Sequence, residues 1–385
     1  MKEQTVTKNE IALARKKKQS AYRRRRALHA AIVLAVIAAV ITTVVLLPPT
    51  AAKDLSSAFK SFFAYGSWPV SLGASSFDSV QPLDAGFAVS AGDRVTVYSN
   101  TGAQLQSISV NYTAPVTVTH GNKLLVYASD GTEARLYNRT EAIASFTTQQ
   151  RILSADTAGG RVALLTASSR YTGEVTVSSA GGEELFTWYC AEGFPYLVRF
   201  SDNGSRLCVA AMVIENGRFD TRVTVLDINS SSEVFTAAVE GTVHHVFFAG
   251  RALLCLSDTG ATPLSETGEL GTPYRLEGRT LLALAEGPGG QLALALGYGG
   301  HDKLTGIVVL GRGGALQTEF AAGIPVRDLC ITKNELYLLS EGRVEVVDYT
   351  GASVRTLSCS YSASRLLLCG GDPVVFAGGT AAKAG

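Results

Sequence analysis

The stretch Arg94-Val-Thr-Val-Tyr-Ser-Asn-Thr-Gly-Ala-Gln-Leu-Gln-Ser-Ile-Ser-Val110 decides the fold. It reads as two β-strands joined by a tight turn. Val95 and Val97 point to one face, Thr96 and Tyr98 to the other, which is the period-two alternation of a strand. Asn100, Thr101 and Gly102 supply the turn. Leu105, Ile108 and Val110 carry the return strand.

Variants of this hairpin recur outward from it. They begin at Glu133, Glu174, Arg222, Gly260, Gly306 and Arg343, with starts 37 to 48 residues apart. The copy at Gly260 is the weakest, because Pro263 lacks an N–H and suits only an edge position. Two further apolar strands precede each hairpin, as in Val116-Thr-Val-Thr and Lys123-Leu-Leu-Val-Tyr. Four strands in every 40–45 residues or so mark a propeller blade. The inner strands read as near-continuous apolar runs, and the outer ones alternate as if only one face were covered. Arg365-Leu-Leu-Leu-Cys and Pro373-Val-Val-Phe form an incomplete unit, and Trp68-Pro-Val-Ser-Leu72 is an unassigned strand. Joining the two gives an all-β propeller of eight four-stranded blades and removes the open sheet edges. A seven-bladed ring with spare terminal strands is the alternative.

The remaining chain reads as topology. Residues 15–26 hold eight Lys or Arg, and residues 28–47 hold no charge at all. Twenty apolar residues at about 1.5 Å each cover a bilayer core, and Pro48-Pro49 stops that helix. The basic flank predicts a cytoplasmic N-terminus and an extracytoplasmic remainder. Next, Leu55, Phe59, Phe62 and Phe63 share one helical face, with Asp54 as N-cap and Gly66 as stop. That short helix lies on the outer membrane surface or packs on the following domain. The expected layout is a basic tail (1–27), a transmembrane helix (28–47), a stalk (48–67) and the propeller (68–380).

A basic N-terminus, a single span, a short stalk and Gly-turn blades filling the rest resemble an uncharacterised bacterial family, domain of unknown function 5711. The resemblance covers the whole layout. It implies a membrane-anchored propeller and assigns no site residue, cofactor or activity.

Residues 1–27 carry a net +8 and the rest of the chain a net −7. A mildly acidic body lacks the basic stripe that nucleic acid demands. The six cysteines form no C-x-x-C, so zinc and dithiol chemistry are not indicated, and they read as free core thiols. Adjacent cysteines and acidic calcium ligands of quinone-dependent propeller dehydrogenases are missing from the sequence. His244 and His245 are neighbours on a strand and face opposite sides, so no metal site is expected there. No nucleophile elbow or phosphate loop occurs, and no cofactor is expected.

Loop length is more informative. With strands a to d running outward from the axis, loops b–c and connections d–a share one face. Three b–c loops are long, at residues 168–174, 215–222 and 297–306. They carry Arg170, Tyr171, Arg218, Phe219, Tyr298, His301 and Asp302, and a neighbouring d–a connection adds Trp188, Tyr189, Phe194 and Tyr196. Aromatics and arginines on a rigid scaffold make a recognition surface. The expectation is a non-enzymatic, single-pass membrane protein that binds a protein or an envelope component on this face. The alternative is a hydrolase or lyase with its site in the axial channel, against which the Val, Leu, Ala and Ser of the inner strands count.

Overall fold

In the computed structural model, residues 48–112, 115–215, 217–298 and 301–385 are described, except for the side chains at 215 and 301–304. The expected span at 28–47 lies outside them. Among the described residues, no helix is long and apolar enough to cross a membrane. The chain divides into two compact units, residues 1–55 and 56–385, and the second contains the propeller.

Helix α1 (Pro49–Phe62) crosses that division. It starts earlier than the sequence indicates. Pro49 opens it, where a missing N–H costs nothing, and Ala52 N–H bonds to Pro48 O at 3.0 Å. Asp54 is therefore inside the helix and is not its cap.

Eight four-stranded antiparallel sheets follow. Blade 1 comprises β2 (Ser79–Leu83), β3 (Gly86–Ala91), β4 (Arg94–Ser99) and β5 (Gln104–Ser109), ordered from the axis outward. The innermost strands of blades 2 to 7 are β6 (Pro115–His120), β10 (Ile152–Ala158), β14 (Phe194–Phe200), β18 (Val243–Ala249), β22 (Thr280–Glu286) and β26 (Asp328–Ile331). Blade 8 is composite. It holds β30 (Ala363–Cys369), β31 (Asp372–Ala377) and β32 (Thr380–Lys383), and its outer strand is β1 (Val70–Ser71) from the other end of the sequence. The eight-bladed closure is thus the one adopted.

Val70 pairs with Ala381 and Ser71 with Thr380. Behind this seam Phe87 meets Phe376 edge-on with ring centroids 5.2 Å apart, and both rings are fully buried. The Tyr98 hydroxyl donates to Ser71 O at 3.3 Å. Gly102 has φ +84°, and a Cβ there would come within 2.7 Å of the Val70 side chain. The turn of the deciding hairpin therefore needs glycine for its backbone and for the seam.

The apolar core is divided among the blade–blade junctions, one cluster to each of the eight. The expected one-sided alternation holds in the third strands at 133–137, 173–179 and 343–348, but not in that of blade 1. In β4, Val95, Thr96, Val97 and Tyr98 are all buried, whereas in β5 Ile108 alone is buried. In blade 1 the third strand is covered on both faces, and its rim strand is the more solvated one. Blade 5 shows the effect of Pro263: β20 (Gly260–Leu264) pairs with an outer strand β21 (Tyr274–Arg275) of only two residues. All six cysteines are free, and Cys190, Cys208, Cys255 and Cys369 are buried.

Candidate functional site

Two parts of the propeller concentrate side chains that do more than pack. The first is the face of the b–c hairpins. Blade 3 has a true loop there between β11 (Arg161–Thr166) and β12 (Gly173–Ser179), in which the Ser168 hydroxyl accepts the Arg170 and Tyr171 amides. Arg170 is exposed and Tyr171 half-exposed, and the Tyr171 ring lies 4.8 Å from that of Tyr189. In blade 4 the supposed loop is strand. β15 (Arg206–Glu215) and β16 (Arg218–Asp227) pair up to Glu215 with Arg218. The hairpin therefore projects as a rigid ladder and presents Ile214 opposite Phe219, both more than half exposed. Arg218 is exposed beside them.

The aromatics assigned to a d–a connection also lie on strands. Trp188 and Tyr189 belong to β13 (Glu184–Cys190), the outer strand of blade 3, and Phe194 and Tyr196 to β14. Phe194 is 66% exposed and pairs with Met212 of the projecting hairpin. Trp188 is half-buried and its indole N–H donates to Glu233 at 2.7 Å. It lines a groove of about 220 Å³ between blades 3 and 4, with Tyr189, Glu192 and Arg222. An ion pair joins Arg222 to Glu192. Tyr196 is a junction residue: its hydroxyl donates to Val243 O at 2.7 Å and sits 3.2 Å from Thr221 Oγ1.

The structure thus exposes two aromatic groups on the b–c face of neighbouring blades: the Tyr171–Tyr189 pair on blade 3, and Phe194, Ile214 and Phe219 on blade 4. Tyr298 stands two blades further round, half-exposed, with the Arg279 guanidinium 6.0 Å from its ring. His301 and Asp302 open β24 (His301–Leu310), where His301 pairs with Tyr298. Their side chains lie outside the described residues.

The second part is the axial channel, whose charged side chains the sequence reading did not identify. The innermost strands carry three carboxylates and two guanidinium groups: Asp156, Glu286, Asp328, Arg199 and Arg365. Most of them line a cavity of about 570 Å³, together with Gln81, Thr117 and Thr119. Arg199 lies between Asp156 at 3.7 Å and Glu286 at 3.4 Å. Arg365 lies 3.9 Å from Asp328. Asp156 is almost fully buried, and burial raises its carboxyl above the usual range despite Arg199 and the amides of Phe200 and Thr157. Burial raises Asp328 in the same way, against the Leu366 amide, Arg365 and the Leu329 amide. Glu286 is half-exposed in the channel, and the protein around it raises its carboxyl too, against the pull of Arg199. The available signal was a charge inside an otherwise apolar innermost strand, as in Ile152-Leu-Ser-Ala-Asp156 and Leu197-Val-Arg199.

His244 and His245 require a correction. A bulge between Val243 and His245 breaks the alternation, so opposite facing does not hold there. Both rings are exposed, and among the described residues no group of three metal-ligating side chains forms.

The profile of a family of unknown function, DUF5711, matches residues 67–261, which spans blades 1 to 4 and reaches into blade 5. The chain belongs to the DUF5711 family. No curated protein matches it. Among solved structures, the DUF5711 propeller is similar to BamB from Moraxella catarrhalis, at 12% identity and TM-score 0.54, over 82% of this chain and 98% of that one. It is also similar to Sqt1 from Saccharomyces cerevisiae, at 10% identity and TM-score 0.57, over 83% and 99%. A europium-containing methanol dehydrogenase matches at 9% identity and TM-score 0.52, over 80% and 83%. At such identities the likeness shows the propeller fold alone.

Proposed function

We propose that this DUF5711 propeller is a membrane-tethered scaffold that docks a protein or envelope component on the blade 3–4 edge of its b–c face. One observation carries the reading: Phe194, Ile214 and Phe219 stand exposed on the paired strands of blade 4, with Tyr171 and Tyr189 exposed on the loop and rim strand of the neighbouring blade 3. Aromatic anchors on a stiff support lose little entropy on binding and supply most of the energy in typical hot spots. Residues 28–47 serve as the span, with residues 1–27 in the cytoplasm and residues 48–67 as the stalk to an extracytoplasmic propeller (68–380). The charge asymmetry supports that orientation.

Crosslinking and pull-down from intact membranes tests the docking surface, with wild type beside a Phe194→Ser, Phe219→Ser double variant. Loss of a defined crosslinked partner in the variant, at unchanged expression, is the expected result. Recovery of the same partners at the same yield refutes the assignment. Protease shaving of right-side-out membranes tests orientation: the propeller is digested while the tail is protected.

The axial channel favours a second reading, an enzyme of the hydrolase or lyase kind. Its observation is the pairing of Arg199 with two carboxylates that are held above their usual range, a pattern suited to general acid–base work. Mass spectrometry of envelope extracts incubated with wild type or a Glu286→Gln variant tests it. A product that forms only with Glu286 supports the enzyme, and identical product profiles contradict it.

A further inference from the structure

The C-terminal half of α1 and the residues after it expose Phe59, Phe62, Phe63 and Tyr65, at 66, 76, 55 and 83%. The Phe59 and Phe63 rings lie 4.8 Å apart, and those of Phe62 and Phe63 5.2 Å apart. This is an aromatic patch that the propeller leaves uncovered. The same segment is nevertheless tied down. Lys60 pairs with Glu141 at 3.6 Å, in the c–d turn of blade 2. Ala64 O accepts the Thr101 hydroxyl at 3.2 Å, in the c–d turn of blade 1. The patch is therefore held at the c–d side of the ring, away from the b–c hairpins.

We infer that a lipid bilayer surface occupies this patch, and that it seats the c–d side of blades 1 and 2 toward the membrane. The inference rests on the membrane-anchor reading of residues 28–47. The uncharged run ends at residue 47, and α1 begins at Pro49. A chain leaving a bilayer there places the helix at the headgroup level. Phenylalanine and tyrosine with a flanking lysine suit that depth, where rings bury beside the acyl chains and polar ends stay wet. The ties to Glu141 and Thr101 then fix which side of the ring faces the lipid. The Phe194–Phe219 edge points outward, free to meet a partner.

The experiment uses the full chain reconstituted in vesicles of phosphatidylcholine and phosphatidylglycerol. Benzoylphenylalanine replaces Phe59, Phe62 or, as a control, Phe219. A carbonate wash first reads the anchor. Irradiation and mass spectrometry then read lipid adducts. Adducts at 59 and 62 at least ten-fold above those at 219 are expected. A chain that washes off overturns the anchor, and the inference with it. A retained chain with adducts at 59 and 62 no higher than at 219 overturns the inference alone. Crosslinks from 59 or 62 to a second protein chain, without lipid adducts, also overturn it.

Discussion

The Asp156 carboxylate accepts the Phe200 amide proton at 2.6 Å, across the junction of blades 3 and 4. Half a turn round the ring, Asp328 accepts the Leu366 amide at 2.8 Å, across the junction of blades 7 and 8. Each acceptor also faces an arginine of the following blade, Arg199 or Arg365. Ser154 accepts the Val198 amide at 3.2 Å in the same way. Innermost strands of neighbouring blades are not in one sheet, so such side chains satisfy backbone donors that no ladder reaches.

Asp156 should therefore show in the pH dependence of stability. Its carboxyl is raised in the folded chain, so the native state holds the proton more tightly than the unfolded one. The associated stability is fully present below the unfolded carboxylate value of about 4 and is lost as pH rises through the folded value. Asp156→Asn keeps an acceptor for Phe200 N–H without this titration. In urea unfolding, wild type should lose stability relative to Asp156→Asn as pH rises through that window. Asp156→Ala should cost about 1–3 kcal/mol by orphaning the amide. A pH-independent difference between wild type and the Asn variant would show that the proton is not held.

The seam predicts a large local cost. Phe376 is fully buried against Phe87 and Phe77 where the two ends of the propeller meet. Phe376→Ala should cost about 3–5 kcal/mol in denaturant unfolding. Tyr361→Ala, at a side chain 78% exposed, should stay within about 0.5 kcal/mol. Equal effects would argue that the ring is not closed there.

Thiol reactivity should follow burial. Burial pushes Cys255 up to about 12 and Cys369 up to about 11. At pH 8 in native buffer, iodoacetamide should modify the partly exposed Cys359 first and leave Cys255 unmodified until the chain unfolds, as read by peptide mass spectrometry. Early labelling of Cys255 would contradict the packing of the blade 4–5 junction.

Tyr196→Phe separates packing from docking. The variant removes a donor to Val243 O but keeps the ring. It should cost about 1 kcal/mol of stability and leave crosslinking to a partner unchanged. A lost partner at unchanged stability would return Tyr196 to the docking surface.

The blades were legible because Val95, Val97 and their counterparts repeat at a period that only stacked sheets bury. The composite blade was legible because strand-forming residues were left over at both ends. The burial of Thr96 and Tyr98 was not, since alternation within one strand does not reveal a neighbouring blade on its second face. The aromatic edge was found through loop length, although residues 215–222 turned out to be largely ladder. The channel charges were missed for a physical reason. A single Asp or Arg inside an apolar strand reads as an interruption until the ring places it beside the next blade.

The most direct test of the docking surface places benzoylphenylalanine at Phe219 of the full chain in intact cells. Irradiation should yield a discrete protein adduct that Phe194→Ser abolishes. No adduct, or one that persists in Phe194→Ser, would contradict a docking surface on the edge of blades 3 and 4.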